Sequence, residues 1–106
     1  MKQIGLMILA LLLAAPAYAS TPAAVEISND AFHPAKLTIT AGQSIIFTNR
    51  DDDAHTVTSS DGVFDSKGID TGQTWRYTFN KAGTYSYFCA LHPFMKATIV
   101  VKAAQS

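Results

Sequence analysis

The sequence has one cysteine, Cys89, and so cannot close an internal disulfide. Small exported domains often rely on such cross-links. A chain without them needs another source of rigidity, and a bound metal is one. Charge imbalance is lacking too. Lysine plus arginine and aspartate plus glutamate number 8 each, for a formal charge of zero, which argues against a nucleic-acid partner. Histidine is scarce, at 3 residues, and no two of them form a His-x-His pair, so the clustered copper ligands of an oxidase have nothing to build on. The sequence also lacks an internal repeat, a low-complexity tract and any long stretch with the spacing of an amphipathic helix.

Long apolar runs are confined to the N-terminus. Lys2 is followed by an apolar run from Ile4 to Ala15 and then by Ala17-Tyr18-Ala19. A basic start, a short apolar centre and a small-x-small end are the parts of a secretory signal peptide. The run is too short to cross a bilayer as a helix, which takes roughly 20 residues, and no second one follows. The expected organisation is a signal peptide at 1–19 and one domain at 20–106, exported to the periplasm with no membrane anchor. Ser20 rather than a cysteine would lead the mature chain, leaving no thiol there for a lipid. A chain of this length has material for one core, and the expected unit is a monomer.

From Ala23 onward, apolar and polar residues alternate in short runs broken by Gly, Asn, Asp and Pro, the pattern of a small all-β fold. Val25 and Ile27 mark one half-buried strand, Leu37 and Ile39 another, with Asn29 to Pro34 as their connection. Ile45 and Phe47 share a face of a strand from Ser44 to Asn49, and a further strand is expected from His55 to Ser59. The segment from Ser60 to Gln73, rich in Asp, Ser and Gly, reads as a long surface loop with a brief extended piece around Phe64. Trp75, Tyr77 and Phe79 then alternate with Arg76 and Thr78; Tyr85, Tyr87 and Cys89 fall on one face of the next strand, and Ala97, Ile99 and Val101 on one face of the last. About seven strands imply a single β-sandwich with the alternating aromatics in its core.

Residues 89 to 95 read Cys-Ala-Leu-His-Pro-Phe-Met and hold, beyond the signal peptide, the only cysteine and the only methionine. Because Cys89 is in phase with Tyr85 and Tyr87, its thiol is expected to point inward at the end of a strand, with His92 and Met95 on the turn that follows. His55, which opens a strand after a loop at the same end of the sandwich, is the expected fourth donor. Two imidazoles, a thiolate and a thioether are the ligand set of a blue copper site, the thioether serving as a long, weak axial ligand. Zinc fits worse, since structural zinc takes four strong ligands and catalytic zinc keeps a position for water. Protein ligands that fill the coordination sphere leave no place for a substrate. The site thus points to one copper ion that passes electrons through its outer shell, and away from an enzyme.

These residues resemble the cupredoxins, and among them the amicyanin- and plastocyanin-like members with a short Cys-x-x-His-x-x-Met loop. The resemblance runs through Phe32-His33-Pro34-Ala35-Lys36-Leu37-Thr38-Ile39 with Ala41-Gly42, through His55-Thr56-Val57, through Ala82-Gly83-Thr84-Tyr85-Ser86-Tyr87-Phe88-Cys89, and through His92-Pro93-Phe94-Met95. It implies a Greek-key β-sandwich with copper at one end, bound by His55, Cys89, His92 and Met95. Those relatives usually carry Asn after the first His ligand, where it ties two ligand loops together. This chain has Thr56, whose hydroxyl can make part of such a link.

His33 stands beside Pro34 with no partner donor nearby and reads as an exposed or structural histidine. Leu91, Pro93 and Phe94 read as an exposed apolar patch around His92, against which a redox enzyme or cytochrome docks transiently. Asp51, Asp52 and Asp53 read as a solvated turn, an acidic rim that steers a basic partner being the alternative. The leading functional expectation is a small periplasmic carrier of single electrons cycling Cu(II) and Cu(I). A protein that stores or delivers copper would use the same four ligands, and a metal-free binding module would leave residues 89 to 95 without a purpose.

Overall fold

The period-2 alternation is realised as eight strands, with no helix among the described residues, 21–105 of a computed structural model. The expected signal peptide at 1–19 lies outside this range. The strands are β1 (Ala23–Ser28), β2 (Ala31–His33), β3 (Lys36–Thr40), β4 (Gln43–Asn49), β5 (Thr58–Ser59), β6 (Thr74–Phe79), β7 (Gly83–Phe88) and β8 (Lys96–Lys102). They form two four-stranded sheets, in the orders β2-β1-β4-β6 and β3-β8-β7-β5. β1 with β4 and β3 with β8 run parallel, and the other neighbours run antiparallel. Every connection from β2 through to β7 crosses from one sheet to the other, the crossed wiring of a Greek-key sandwich. The expected all-β sandwich is the fold observed.

Alternation sends Val25 and Ile27 of β1 and Ile45 and Phe47 of β4 inward, against Tyr87 of β7 and Ile99 and Val101 of β8. Aromatic edges join the sheets: the Tyr87 ring meets Phe32 at 4.7 Å and Phe47 at 5.8 Å between centroids, both edge-to-face. Of the alternating aromatics, Phe79 and Tyr87 are buried, whereas Trp75, Tyr77 and Tyr85 are only partly covered. Trp75 and Tyr77 lie on β6, the edge of its sheet, which has a paired strand on one side alone.

The structure corrects three local expectations. The connection from Asn29 to Pro34 contains β2, which pairs with β1 as a hairpin and buries Phe32. Its turn needs left-handed backbone, and Asn29 and Asp30, both at φ 52°, are residue types that tolerate it. The strand expected from His55 to Ser59 shrinks to Thr58–Ser59, because the preceding backbone pairs with the long loop instead: His55 and Ile69 exchange two amide bonds, and the Ser66 amide donates to Val57 O. For the same reason the segment from Ser60 to Gln73 does more than cover the surface. Phe64, in the extended piece expected there, and Ile69 are buried in the core.

Topology fixes one functional end. Phe88, at the end of β7, lies opposite both Thr58, where β5 starts, and Lys96, where β8 starts. The segments 50–57 and 89–95 are therefore neighbours, although they are distant in sequence.

Candidate metal centre

Cys89 follows β7 in phase with Tyr87 and is completely buried, as the alternation requires. The chain then folds back in two tight steps: the His92 amide donates to Cys89 O (3.2 Å) and the Met95 amide to His92 O (2.9 Å), while the Cys89 amide donates to Met95 O (3.1 Å). These bonds return His92 and Met95 to the cysteine. Met95 is buried in the core cluster, and His92 is left half-buried at the rim.

His55 is fully buried and is held from both ends of its ring. Nδ1 lies 3.6 Å from Cys89 Sγ, and Nε2–H donates to Asp51 Oδ2 at 2.9 Å. The same Asp51 carboxylate accepts the amides of Asn29 (2.7 Å) and Asp30 (3.0 Å), so it clamps the β1–β2 turn to the imidazole. The Asp30 amide, followed by the Asn29 amide and the His55 ring, holds the Asp51 carboxyl below the usual carboxylate range against the opposing pull of desolvation. Beneath it, buried Asn49 organises the loop: Nδ2 donates to Asp53 O and Ile69 O, each at 2.8 Å, and Oδ1 accepts the Asp51 amide at 2.9 Å.

Thr56 connects the two ligand segments. Its amide donates to Cys89 Sγ at 3.3 Å, and its Oγ1 accepts the Ala90 amide at 2.7 Å and pairs with Thr58 Oγ1 at 2.8 Å. The hydroxyl thus makes part of the cross-loop link, as expected of Thr56.

The donor atoms fit a metal ion. Sγ of Cys89 is 3.6 Å from Nδ1 of His55 and 3.7 Å from Nδ1 of His92. A trigonal ion with bonds of about 2.0 to 2.3 Å sets its donors about 3.5 to 3.8 Å apart. The buried thioether of Met95 fits copper better than zinc, since zinc sites take four strong ligands or keep a place for water, whereas a copper ion would use a thioether as a weak ligand. The His55 and His92 rings lie 4.8 Å apart, and the partly exposed His92 ring has Phe94 at 6.1 Å in an edge-to-face contact.

The family model for the cupredoxin-like domain matches residues 3–101. The chain belongs to the cupredoxins. An amicyanin-alpha from Methylorubrum extorquens is 34% identical over 83 residues, 74% of this chain and 70% of the relative. An amicyanin from Paracoccus versutus is 33% identical over 72 residues, 63% of this chain and 54% of the relative. The matches thus span between about half and seven-tenths of these relatives' length. Among solved structures, a reduced amicyanin variant superposes with a TM-score of 0.74 at 28% identity, covering 81% of this chain and 87% of that one. A copper-containing nitrite reductase from Thermus scotoductus matches 90% of this chain with 25% of its own, at a TM-score of 0.77 and 28% identity. The cupredoxin fold therefore also occurs as one part of a larger enzyme.

Of the residues singled out in the sequence, His55, Cys89 and His92 have ligand atoms within 4.8 Å of one another, and Met95 is buried on the returning end of their loop. His33 is apart from them, exposed, with Nε2 bonded to Ser28 O at 3.0 Å. Leu91 and Phe94 are 56% and 68% exposed, and Pro93 is exposed as well, so the apolar patch is real. The Asp run divides: Asp52 and Asp53 face solvent, whereas Asp51 turns inward to His55. Sequence reasoning missed the roles of Asn49 and Asp51. Their one local signal is an Asn ending a strand two residues before an Asp, the spacing of an Asx turn.

Proposed function

We propose that this cupredoxin is a periplasmic carrier of single electrons that holds one copper ion through His55, Cys89, His92 and Met95. The observation that carries this reading is the asymmetry of burial. His55 and Cys89 are completely enclosed, while His92 reaches the surface inside a patch made by Leu91, Pro93 and Phe94. Copper, when bound, supplies a couple between Cu(II) and Cu(I). The protein's residues do the rest: the turns of residues 89 to 95 and the Asp51 and Thr56 contacts hold the donors in place, and the buried thiol and imidazole exclude water. Fixed donors keep reorganisation small when the charge changes. The His92 ring edge is then the short route to a partner seated on the patch, and the coordination sphere offers no substrate a place. Relatives bearing the name amicyanin and the signal-peptide pattern at 1–19 support the carrier role and the export.

The test is to load the purified domain with Cu(II) and look for the intense visible band of thiolate-to-copper charge transfer. Wild type is expected to show it and Cys89→Ser to lack it. Voltammetry should then give reversible one-electron cycling with the metal retained. A colourless complex would overturn the copper assignment, and loss of copper to a partner on each reduction would favour metal delivery over electron transfer. Phe94→Lys is expected to slow electron exchange with a protein partner; an unchanged rate would overturn the patch as the docking point.

A further inference from the structure

The next step rests on the copper reading and concerns the residues behind His55. The two imidazoles are not backed alike. His55 Nε2 has Asp51 Oδ2 at 2.9 Å and Asp30 Oδ1 at 3.6 Å; its ring is fully buried, and the Asp51 side chain is only 17% exposed. His92 has no such partner: oxygens of Asp30 and Asp53 come within 4.8 Å of a ring nitrogen, but both side chains are exposed and neither pairs with it. The fold brings Asp51 to His55 with its charge uncancelled. Oδ1 of buried Asn49 accepts the Asp51 amide and turns the loop inward, and the Asn29 and Asp30 amides that donate to the carboxylate bring dipoles without net charge. The neighbouring cation, Arg50, is turned away to Glu26 at 2.9 Å.

We infer that Asp51 sets the poise of the copper couple, holding the site toward Cu(II) through the bond its carboxylate accepts from His55. Two effects act in the same direction. An anionic acceptor on Nε2–H makes the imidazole more basic, which strengthens Nδ1 as a donor to the more positive ion. A fixed negative charge behind the ring also favours the oxidation state with the higher charge. Burial preserves both, because a pair shielded from solvent is screened by salt much less than an exposed one. On reduction one electron enters, the Nε2 proton stays on His55 and the carboxylate keeps its charge, so the step is one electron and no proton. Asp51 is thus a positioning residue whose influence reaches the metal through His55.

The experiment is voltammetry of the copper-loaded protein and three variants. In Asp51→Asn the side-chain oxygen can take the Oδ2 place and keep the bonds from His55 and Asp30, so the charge goes and the acceptor stays. The expected result is an upward shift of about 59 mV, a tenfold rise in the ratio of Cu(I) to Cu(II) at a fixed applied potential. The blue band should be retained, and the shift should persist near 1 M salt, where the Debye length falls to about 3 Å. Asp52→Asn removes an equal charge from a side chain that faces solvent and should change the ratio less than about twofold. Asp30→Asn, 48% exposed and 3.6 Å from Nε2, should fall between the two at low salt and fade as salt rises. Equal potentials for wild type and Asp51→Asn would overturn the inference, as would equal shifts in Asp51→Asn and Asp52→Asn. Should Asp51→Asn not hold copper, Asp30→Asn still decides, since a low-salt shift no larger than that of Asp52→Asn would refute an effect acting through Nε2. In the wild-type Cu(I) form, proton–nitrogen spectra should show the His55 Nε2 proton downfield and slow to exchange; a fast-exchanging proton would remove the bond on which the effect depends. A colourless or irreversible wild type sinks the carrier reading instead, whereas blue, reversible proteins sharing one potential sink only the influence of Asp51.

Discussion

Truncating Asp51 tests whether the site is held by its outer contacts. The carboxylate accepts three bonds: from the Asn29 amide at 2.7 Å, the Asp30 amide at 3.0 Å and His55 Nε2 at 2.9 Å. In Asp51→Ala the two amides lie in an exposed turn and regain water, so each loss amounts to about 0.5 to 1 kcal/mol. The third donor differs. The His55 ring is fully buried, and an Nε2–H without a partner costs about 1 to 3 kcal/mol. Asp30 Oδ1, at 3.6 Å from Nε2, is within reach as a partial replacement. The expected loss is about 3 kcal/mol, or a fall in Tm of about 15 °C for a domain of this size. Denaturant unfolding of the metal-free protein measures it, with Asp52→Ala as the surface control expected within about 0.5 kcal/mol of wild type. If Asp30 does compensate, Asp30→Ala will destabilise the Asp51→Ala protein more than it destabilises wild type. Equal midpoints for the Asp51 and Asp52 variants would refute the clamp.

Thr56→Val keeps the shape but removes the acceptor of the Ala90 amide, so unfolding should show a loss of about 1 to 2 kcal/mol, with Thr56→Ser retaining most of the stability. Tyr87→Phe should be neutral or stabilising by up to about 1 kcal/mol, because the buried hydroxyl has no hydrogen-bond partner among the described residues. Burial pushes the Tyr87 phenol far above its ordinary value, so an alkaline absorbance titration should find it protonated until the fold opens. Asp65 is held below the ordinary carboxylate value of 3.8 chiefly by the Lys67 amide, which it accepts while Lys67 sits at φ 60°. A depressed folded pKa gives stability that is present above the ordinary value and lost as pH falls through the folded one. The wild-type protein should therefore lose more stability than Asp65→Asn on acidification below about pH 4.

What was legible in the sequence and what was not divide along one physical line. The order and faces of the strands follow from side-chain alternation, which is local, and so Val25, Ile27, Ile45, Phe47, Ile99 and Val101 are buried as the pattern requires. The segment from Cys89 to Met95 closes through bonds between residues three to six apart, and its spacing alone announces three donors. The supports of that segment are another matter. Thr56 reaches Ala90 across 34 residues and Asn49 reaches Ile69 across 20, distances in sequence at which no period or spacing carries information. Phe64 shows the same limit from the apolar side, since it comes from a stretch without alternation and yet packs its ring against Phe79 at 5.5 Å. His55 belongs to both classes: its residue type marked it as a donor, but only the pairing of β5 and β7 brings it to the thiol. Rigidity at the site thus arises from the turns inside the ligand motif together with contacts that the motif does not contain. A graft of residues 89 to 95 onto another sandwich would carry three donors and leave behind Asn49, Asp51 and Thr56, the residues that hold the fourth and tie it to the other three.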